Sequence, residues 1–491
     1  MAFRLERGAH EPLYRQIRRA IEERIARNSF GFDHPLPSTR GLALELGVSR
    51  NTVNLAYQEL MAEGFIVSQP RRGLFVNEEL RPERLEPARP SAMPGPARWL
   101  ARHRAPADAG LPKIQKVPDW YRYTYVFIAG QVDTRTFPSR AWLRALRDAL
   151  DEPHRHFSLR DAVEEDDPML AEMLCREILP PRGIDADPRE VLVTLGSQEG
   201  LALLSRVLLE PGSVVAVEDP GYLDARHIFR RAGAILRPLA VDSSGVIPPP
   251  DLDGIGLLYL TPSHHHPTNA TLSIGRRRQL LAQAELADTV IVEDDYDSEL
   301  RYQGAPSPAL KGLDENGRVV YLGTFSKFLA PGLRLGYVVG DPELICRLRD
   351  ERRYSIRHPP GHIQRAMALL ILSGHYHRAV RQHRSILKRK WEVMREAVSR
   401  DLDWDVPLPP GGVSIWVEGP PELDATALAG QLLRESVIIE RGDILFSDPP
   451  QHRNCFRLGF AAVRPEAISP GIGIIARAAR QQLRCARIPG G

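Results

Sequence analysis

The chain has 491 residues, 43% of them hydrophobic and 26% charged, with a formal net charge of +3 at pH 7. These are the proportions of a soluble globular protein of about two to four domains, and the near-neutral balance means that any case for a nucleic-acid partner must rest on local charge. Cys175, Cys346, Cys455 and Cys485 are too far apart for a metal-ligand spacing and read as reduced thiols of a cytoplasmic protein, Met1–His10 lacks the apolar core of a signal peptide, and no apolar run approaches the roughly 18 residues of a membrane span.

The first unit predicted is 1–76. A helix begins at Glu11-Pro12, with proline near the first helical position. Leu13, Ile17, Ile21 and Ile25 make its apolar stripe. After Pro35-Leu36-Pro37, Ser38 is a candidate cap for a short helix through Leu42, Ala43 and Leu46. Gly47-Val48 turns the chain, and Ser49 caps a third helix that carries Val53, Ala56, Tyr57 and Leu60 on one face and stops at Gly64. Phe65–Val67 and Leu74–Val76 then read as two strands around the basic turn Gln69-Pro70-Arg71-Arg72-Gly73. Three helices and a basic hairpin outline a winged helix-turn-helix. In that arrangement Ser49, Arg50, Asn51 and Thr52, in the first turn of the third helix, meet base edges and phosphates in the major groove of double-stranded DNA. Arg40 anchors a phosphate, and Arg71 and Arg72 follow the backbone or the minor groove.

Residues 77–118 carry Pro82, Pro87, Pro90, Pro94, Pro96, Pro106, Pro112 and Pro118 among Arg, Ala and Glu, with no surviving period. They read as a linker, spanning roughly 35 Å if flexible.

Residues 119–491 alternate short β-rich runs with helical segments. The runs are Val191–Leu195, Val214–Val217, Leu257–Leu260, Val290–Val292, Val319–Leu322 and Leu335–Val339. This pattern predicts an α/β fold with a mostly parallel central sheet covered on both faces. Val413–Val417, Val437–Ile439 and Phe456–Leu458 suggest a smaller α+β lobe.

Ligands of such sheets sit outside the carboxyl ends of the strands, so the polar residues there carry the information. Gly196-Ser197-Gln198-Glu199-Gly200 opens a helix after the first run, Glu218–Tyr222 follows the second, Glu293-Asp294-Asp295-Tyr296 the fourth, and Gly323-Thr324-Phe325-Ser326-Lys327 the fifth. Pyridoxal 5'-phosphate asks for these parts together: a lysine for a Schiff base, a carboxylate for the pyridine nitrogen, a stacking ring and a phosphate cup. Lys327 would be the amine, Asp294 the pyridine partner, Tyr296 the donor to the phenolic oxygen and Tyr222 the ring partner. Ser197, Gln198, Thr324, Ser326 and Arg334 would cup the phosphate.

The motifs resemble those of a known family. Leu-Pro-Ser-Thr-Arg (36–40) and Leu-Gly-Val-Ser-Arg-Asn-Thr-Val (46–53) are similar to GntR-type winged helices. Glu-Asp-Pro-Gly-Tyr (218–222), Val-Glu-Asp-Asp-Tyr-Asp-Ser-Glu (292–299), Gly-Thr-Phe-Ser-Lys (323–327) and Arg-Leu-Gly-Phe-Ala (457–461) resemble the MocR group of bacterial regulators, whose large domain is similar to fold-type I aminotransferases. The resemblance implies a homodimer in which each winged helix rests on the partner's large domain. It also implies that Arg457 takes the carboxylate of an amino-acid-like effector, since arginine presents a planar fork to such a group.

Two features depart from the pattern. His266, in Ser263-His264-His265-His266-Pro267-Thr268, stands where aminotransferases place asparagine, and 157–170 lacks the usual Tyr-Gly-Asp-Pro stretch. Neighbouring residues of an extended segment point to opposite faces, so only His264 and His266 could share a metal. No helpful carboxylate or cysteine supports one, and no metal site is expected. Contact of His265 or His266 with cofactor or effector is the stronger reading. The chain thus reads as a ligand-responsive, DNA-binding transcriptional regulator that senses an amine carrying a carboxylate or sulfonate. The alternative is an active aminotransferase with a DNA-binding unit, and the missing asparagine argues against efficient turnover.

Overall fold

The computed structural model describes residues 5, 11–27, 29–80, 112–114, 116–297, 299–304, 307–327 and 329–486. The chain divides into two compact units, Met1–Arg104 and Ala105–Gly491.

In the first unit, helix α1 (Leu13–Ala26) buries Ile17, Ile21 and Ile25, while Leu13, in its first turn, is only half buried. The Ser38 hydroxyl accepts the Gly41 N–H at 3.1 Å and starts helix α2 (Thr39–Leu46). Gly47 ends it in the left-handed region, φ 60°, where a side chain would be strained. Ser49 accepts the Thr52 N–H at 3.1 Å and starts helix α3 (Arg50–Ala62). Each such cap satisfies a donor that the helix cannot, and contributes about 1 kcal/mol. The Tyr57 hydroxyl donates to the Pro37 carbonyl at 2.9 Å, tying α3 to the segment that enters α2. Strands β1 (Ile66–Gln69) and β2 (Gly73–Val76) pair antiparallel, with Ile66 opposite Val76. Ile66 and Val76 close the core formed by the three helices.

Of the segment read as a linker, 81–111 lies outside the described residues. Its far end belongs to the second unit. Ile114 packs against the cluster of Leu223, Trp416, Leu445 and Cys455, and the Pro112 carbonyl accepts a 2.7 Å hydrogen bond from His227 Nε2.

The second unit is built on an eight-stranded sheet. Its strands are β3 (Val191–Thr194), β4 (Val214–Asp219), β5 (Ile235–Asp242), β6 (Gly245–Val246), β7 (Leu257–Leu260), β8 (Val290–Asp295), β9 (Val319–Thr324) and β10 (Gly336–Val339), in the spatial order β3-β10-β9-β8-β7-β4-β5-β6. Strands β10 and β6 run opposite in direction to the other six. Strands β3, β7 and β9 are buried along their whole length, as expected of a sheet with helices on both faces. Strands β4, β8 and β9 continue past the apolar runs into polar residues, because backbone pairing persists there. Glu218 and Asp294 therefore stand at the penultimate positions of strands rather than in the loops beyond. Strand β5 is additional to the predicted runs: Arg237 and Pro238 interrupt its pattern, and its outer neighbour is only the short β6.

A smaller antiparallel sheet consists of β11 (Ser414–Glu418), β12 (Glu440–Arg441) and β13 (Cys455–Gly459), ordered β11-β13-β12. Long helices His375–Asp401 and Pro465–Ala486 pack against it through Leu387, Trp391, Met394, Ile468, Ile472 and Ile475. Val437–Ile438, expected in this lobe's sheet, instead pairs in parallel with Tyr125–Val126.

Candidate functional site

A cleft opens at the carboxyl ends of the central strands, where ligands of open α/β sheets bind. It is lined by Gly130, Ser197, Tyr222, Tyr259, Thr261, His266, Asp294, Tyr296, Lys327, Val413 and Arg457.

At its floor lies Asp294. The Tyr259 hydroxyl donates to Asp294 Oδ2 at 2.8 Å, while Oδ1 is buried with no partner among the described residues. Burial raises this carboxyl to about 6, against the opposing pull of the Tyr259 hydrogen bond and of Lys327. The adjacent Asp295 is spent differently, accepting from Arg182 Nε and from the Tyr321 hydroxyl, each at 2.8 Å. Two neighbouring acids on one strand thus face opposite sides, one toward a structural arginine and one toward the cleft.

Lys327 follows β9. Its Nζ lies 5.7 Å from the centre of the Tyr296 ring. A methyl carbon on Gly130, where φ is 77°, would stand 3.6 Å from that nitrogen. Burial and the Arg457 charge lower the Lys327 pKa, and Asp294 counters them. The Tyr296 hydroxyl, expected to serve the cofactor, donates to the His264 carbonyl at 2.9 Å. Its ring stands edge-on to His266 at 6.3 Å.

Beside the cleft is a cup suited to an anion. Helix α4 (Ser197–Leu208) starts after Gly196, whose φ is 83°. The Arg334 guanidinium lies across this glycine. Its Nη2 donates to the Leu195 carbonyl at 2.9 Å, and a methyl carbon on Gly196 would come within 3.1 Å of it. Ser326 Oγ is buried without a partner among the described residues, and the Ser326 N–H donates to Thr324 Oγ1 at 3.1 Å. A helix N-terminus, an arginine and an unpartnered hydroxyl are the parts of a phosphate site. The Gln198 amide donates at 3.2 Å to Asp224, which also accepts from the Tyr222 hydroxyl.

At the opposite end Arg457, on β13, is buried and donates from Nε to Ser414 Oγ at 2.8 Å and from Nη1 to His266 Nε2 at 3.0 Å. The three histidines have three environments. His264 Nδ1 bonds Asp297 at 2.8 Å. His265 is fully buried away from the cleft: Nε2 donates to the Pro220 carbonyl at 3.0 Å, and Nδ1 accepts from Thr268 at 2.8 Å. Burial pushes its pKa down to about 3. Of the pair expected to contact a ligand, only His266 lines the cleft.

Tyr259, Thr261, Gly130 and Val413 line the cleft although nothing in their sequence pattern singles them out. Tyr259 sits in the apolar run Leu257–Leu260, which reads as plain core. A phenol in a buried strand does need a partner, and that is the available signal. Thr261 donates its N–H and hydroxyl to Glu218 Oε2 at 3.0 and 2.6 Å, and burial raises Glu218 to about 8.

On the first unit, Arg40, Ser49, Arg50, Asn51, Arg71 and Arg72 are all exposed, and Thr52 is half buried with its hydroxyl 2.8 Å from that of Ser49. Arg71, φ 63°, turns the hairpin, and the Arg72 guanidinium sits 5.1 Å from the Phe75 ring centre. Ser49 serves as the cap of α3, so its hydroxyl is already engaged.

Comparison with known proteins agrees with both units. Residues 13–76 match the description "Bacterial regulatory proteins, gntR family", and 128–475 match "Aminotransferase class I and II". The HTH-type transcriptional regulator TauR of Rhodobacter capsulatus is 40% identical over 98% of this chain and 99% of its own length. The probable rhizopine catabolism regulatory protein MocR of Rhizobium meliloti is 31% identical over 95% and 94%. The chain belongs to the MocR-type regulators of the GntR family. Like other MocR-type regulators, it joins a helix-turn-helix DNA-binding unit to a fold-type I aminotransferase domain. That domain is similar to α-aminoadipate aminotransferase LysN of Thermus thermophilus, solved with N-(5'-phosphopyridoxyl)-L-leucine, at 28% identity and a TM-score of 0.70 over 79% of this chain and 100% of that one. Among the described residues of this MocR-type chain, no helix is long and apolar enough to cross a membrane, and no three metal-ligating side chains come together.

Proposed function

We propose that this regulator controls transcription by binding an amino-acid-like amine at pyridoxal phosphate held in the cleft. The observation that carries the reading is the buried, unpartnered oxygen of Asp294 in the same cleft as Lys327 and Arg457.

The residues fit the group. Asp294 would pair with a protonated pyridine nitrogen, which would satisfy its free oxygen and favour its charged form. Tyr222 would lie against the ring. Ser197, Thr324, Ser326 and Arg334 would hold the phosphate, with Ser326 Oγ gaining the partner it lacks. Lys327, whose charged form burial disfavours, would be the amine that anchors the group. When bound, pyridoxal phosphate supplies an aldehyde carbon that condenses with primary amines. Arg457 would receive the acid of the incoming effector, so that amine and acid are read at two ends of one cleft. His265 falls outside this assignment, because both of its ring nitrogens are engaged elsewhere; Gln198, at the start of α4, would add its backbone N–H to the phosphate cup while its Nε2 stays on Asp224.

On the DNA side, Arg50, Asn51 and Thr52 would read bases, and Arg40, Arg71 and Arg72 would hold phosphates. The regulator would act in the cytoplasm as a homodimer on a two-half-site operator. Effector binding regulates only if the two DNA-binding arrangements differ in effector affinity.

The test is to titrate candidate amino acids into purified protein carrying pyridoxal phosphate while following its visible absorption and operator binding together. A change in operator affinity that tracks the spectral change supports the proposal. Rapid interconversion of amino and keto acids with indifferent DNA binding replaces it with the aminotransferase reading. A Lys327→Ala variant that keeps the wild-type spectrum overturns the cofactor anchor.

A further inference from the structure

Arg457 cannot face a ligand as a free side chain, because a neutral histidine already holds it. The bond between Arg457 Nη1 and His266 Nε2 is 3.0 Å. A guanidinium only donates, so His266 Nε2 is the acceptor and the ring carries its proton on Nδ1. A doubly protonated ring would lose this bond and face a second cation. Burial, Arg457 and Lys327 all press the ring toward its neutral form.

The ring itself is fixed. It stands edge-on to Tyr222 at 5.3 Å and to Tyr296 at 6.3 Å. Its backbone N–H donates to Thr261 Oγ1 at 2.9 Å, and Thr261 is held in turn by Glu218. The second grip on Arg457 comes from Ser414 Oγ, which also accepts from Asn269 Nδ2 at 3.1 Å. One guanidinium is thus clamped from a strand neighbour and from the loop after β7, and its remaining N–H groups are left for a ligand.

We infer that His266 is a positioning residue that sets Arg457 in its anion-receiving orientation, and so determines the preference for amines that bear an acid over amines that do not. A long arginine side chain loses considerable rotamer freedom when it binds; His266 removes that cost before the ligand arrives. The inference rests on the proposed role of Arg457 and adds the residue on which its selectivity depends.

The experiment uses the full chain loaded with pyridoxal phosphate. β-Alanine and γ-aminobutyrate are titrated against n-propylamine and n-butylamine, with the shift in visible absorption as readout. In His266→Phe, which has no acceptor, the preference for the acid-bearing amines should fall about tenfold. The affinity for the plain amines should fall by much less than that for the acid-bearing amines, whatever change the cofactor absorption itself shows. His266→Gln, whose amide oxygen can accept from Arg457, should recover most of the preference. A merely structural role would weaken both ligand classes equally and would not be rescued by glutamine. Should His266→Phe take up no cofactor, His266→Leu, smaller and also without an acceptor, is read in its place. Full preference in the acceptor-less variant overturns the inference while leaving the Arg457 reading intact. A wild-type protein without preference, or an Arg457→Met variant that keeps it, removes the Arg457 reading and this inference with it.

Discussion

Tyr259 donates a 2.8 Å hydrogen bond to one oxygen of Asp294, and the other oxygen of that carboxyl is buried without a partner among the described residues. The pair makes an acid that is half satisfied. Burial raises its pKa from 3.8 to about 6, so the folded protein holds this proton more tightly than the unfolded chain does. The stability that this contributes is present below pH 3.8 and is lost as the pH rises to about 6. Cofactor-free Asp294→Asn should therefore gain stability relative to wild type across that window and hold a constant advantage above it. Denaturant unfolding at a series of pH values measures the difference. A difference that does not change with pH would show that Asp294 is not the strained group.

Removing the Tyr259 hydroxyl tests the same pair from the other side. In Tyr259→Phe neither oxygen of Asp294 has a donor, and its charged form becomes harder to keep. A hydrogen bond to a charged buried group contributes about 1.5–3 kcal/mol. Pyridoxal phosphate should then bind at least tenfold more weakly, with little change in its affinity when Tyr302, a buried tyrosine outside the cleft lining, is changed to Phe instead. Equilibrium titration of cofactor into the two variants gives the comparison.

How much of this could be read without coordinates follows from what each residue depends on. Strands such as β3 and β7 are legible because burial on both faces makes them continuous apolar runs. Ser38 and Ser49 are legible as caps because capping is local. Lys327 and Asp294 stand out because a charged residue at the end of a buried strand asks for an explanation. Tyr259 is hidden inside such a run. Val437–Ile438 could not be placed, because its partner, Tyr125–Val126, is distant in sequence and the pairing is purely tertiary. Proline content makes 77–118 look uniform, yet Ile114 packs against Trp416 and Leu445. Alternation along an extended segment separates His265 from His266 but cannot say which one meets a ligand. That choice is made by Pro220 and Thr268, which use both nitrogens of His265.

Gly196→Ala should act at the anion cup rather than on Asp294. The new methyl carbon would be 3.1 Å from Arg334 Nη2, in a backbone conformation, φ 83°, that side chains rarely adopt. Arg334 is the flexible partner and must move. The expected result is a reduced preference for pyridoxal phosphate over unphosphorylated pyridoxal, by about tenfold, together with a modest loss of thermal stability. Arg334→Ala should reduce the same preference without the backbone strain. Equal weakening of both ligands in Arg334→Ala would take the phosphate away from this cup.

The exposed polar residues assigned to DNA divide into two kinds, and salt separates them. Arg71 and Arg72 lie in the hairpin turn between β1 and β2, where they can follow the DNA backbone but have no defined reach into a base step. Replacing either arginine by alanine should lower the slope of log affinity against log salt by about one and weaken binding to all sequences alike. Arg72→Ala carries one further expectation, a small loss of stability in the wing, since its guanidinium rests on the Phe75 ring. Arg50 and Asn51 stand in the first turn of α3, immediately after the Ser49 cap, the part of a recognition helix that enters the major groove. Arg50→Ala and Asn51→Ala should compress the difference between operator and unrelated DNA by about 1–3 kcal/mol. Fluorescence anisotropy on operator and scrambled duplexes at several salt concentrations measures both quantities for each variant. If Arg71→Ala changes discrimination while Arg50→Ala changes only the salt slope, the hairpin reads the sequence and α3 merely holds the backbone, and the docking assigned to this unit is reversed.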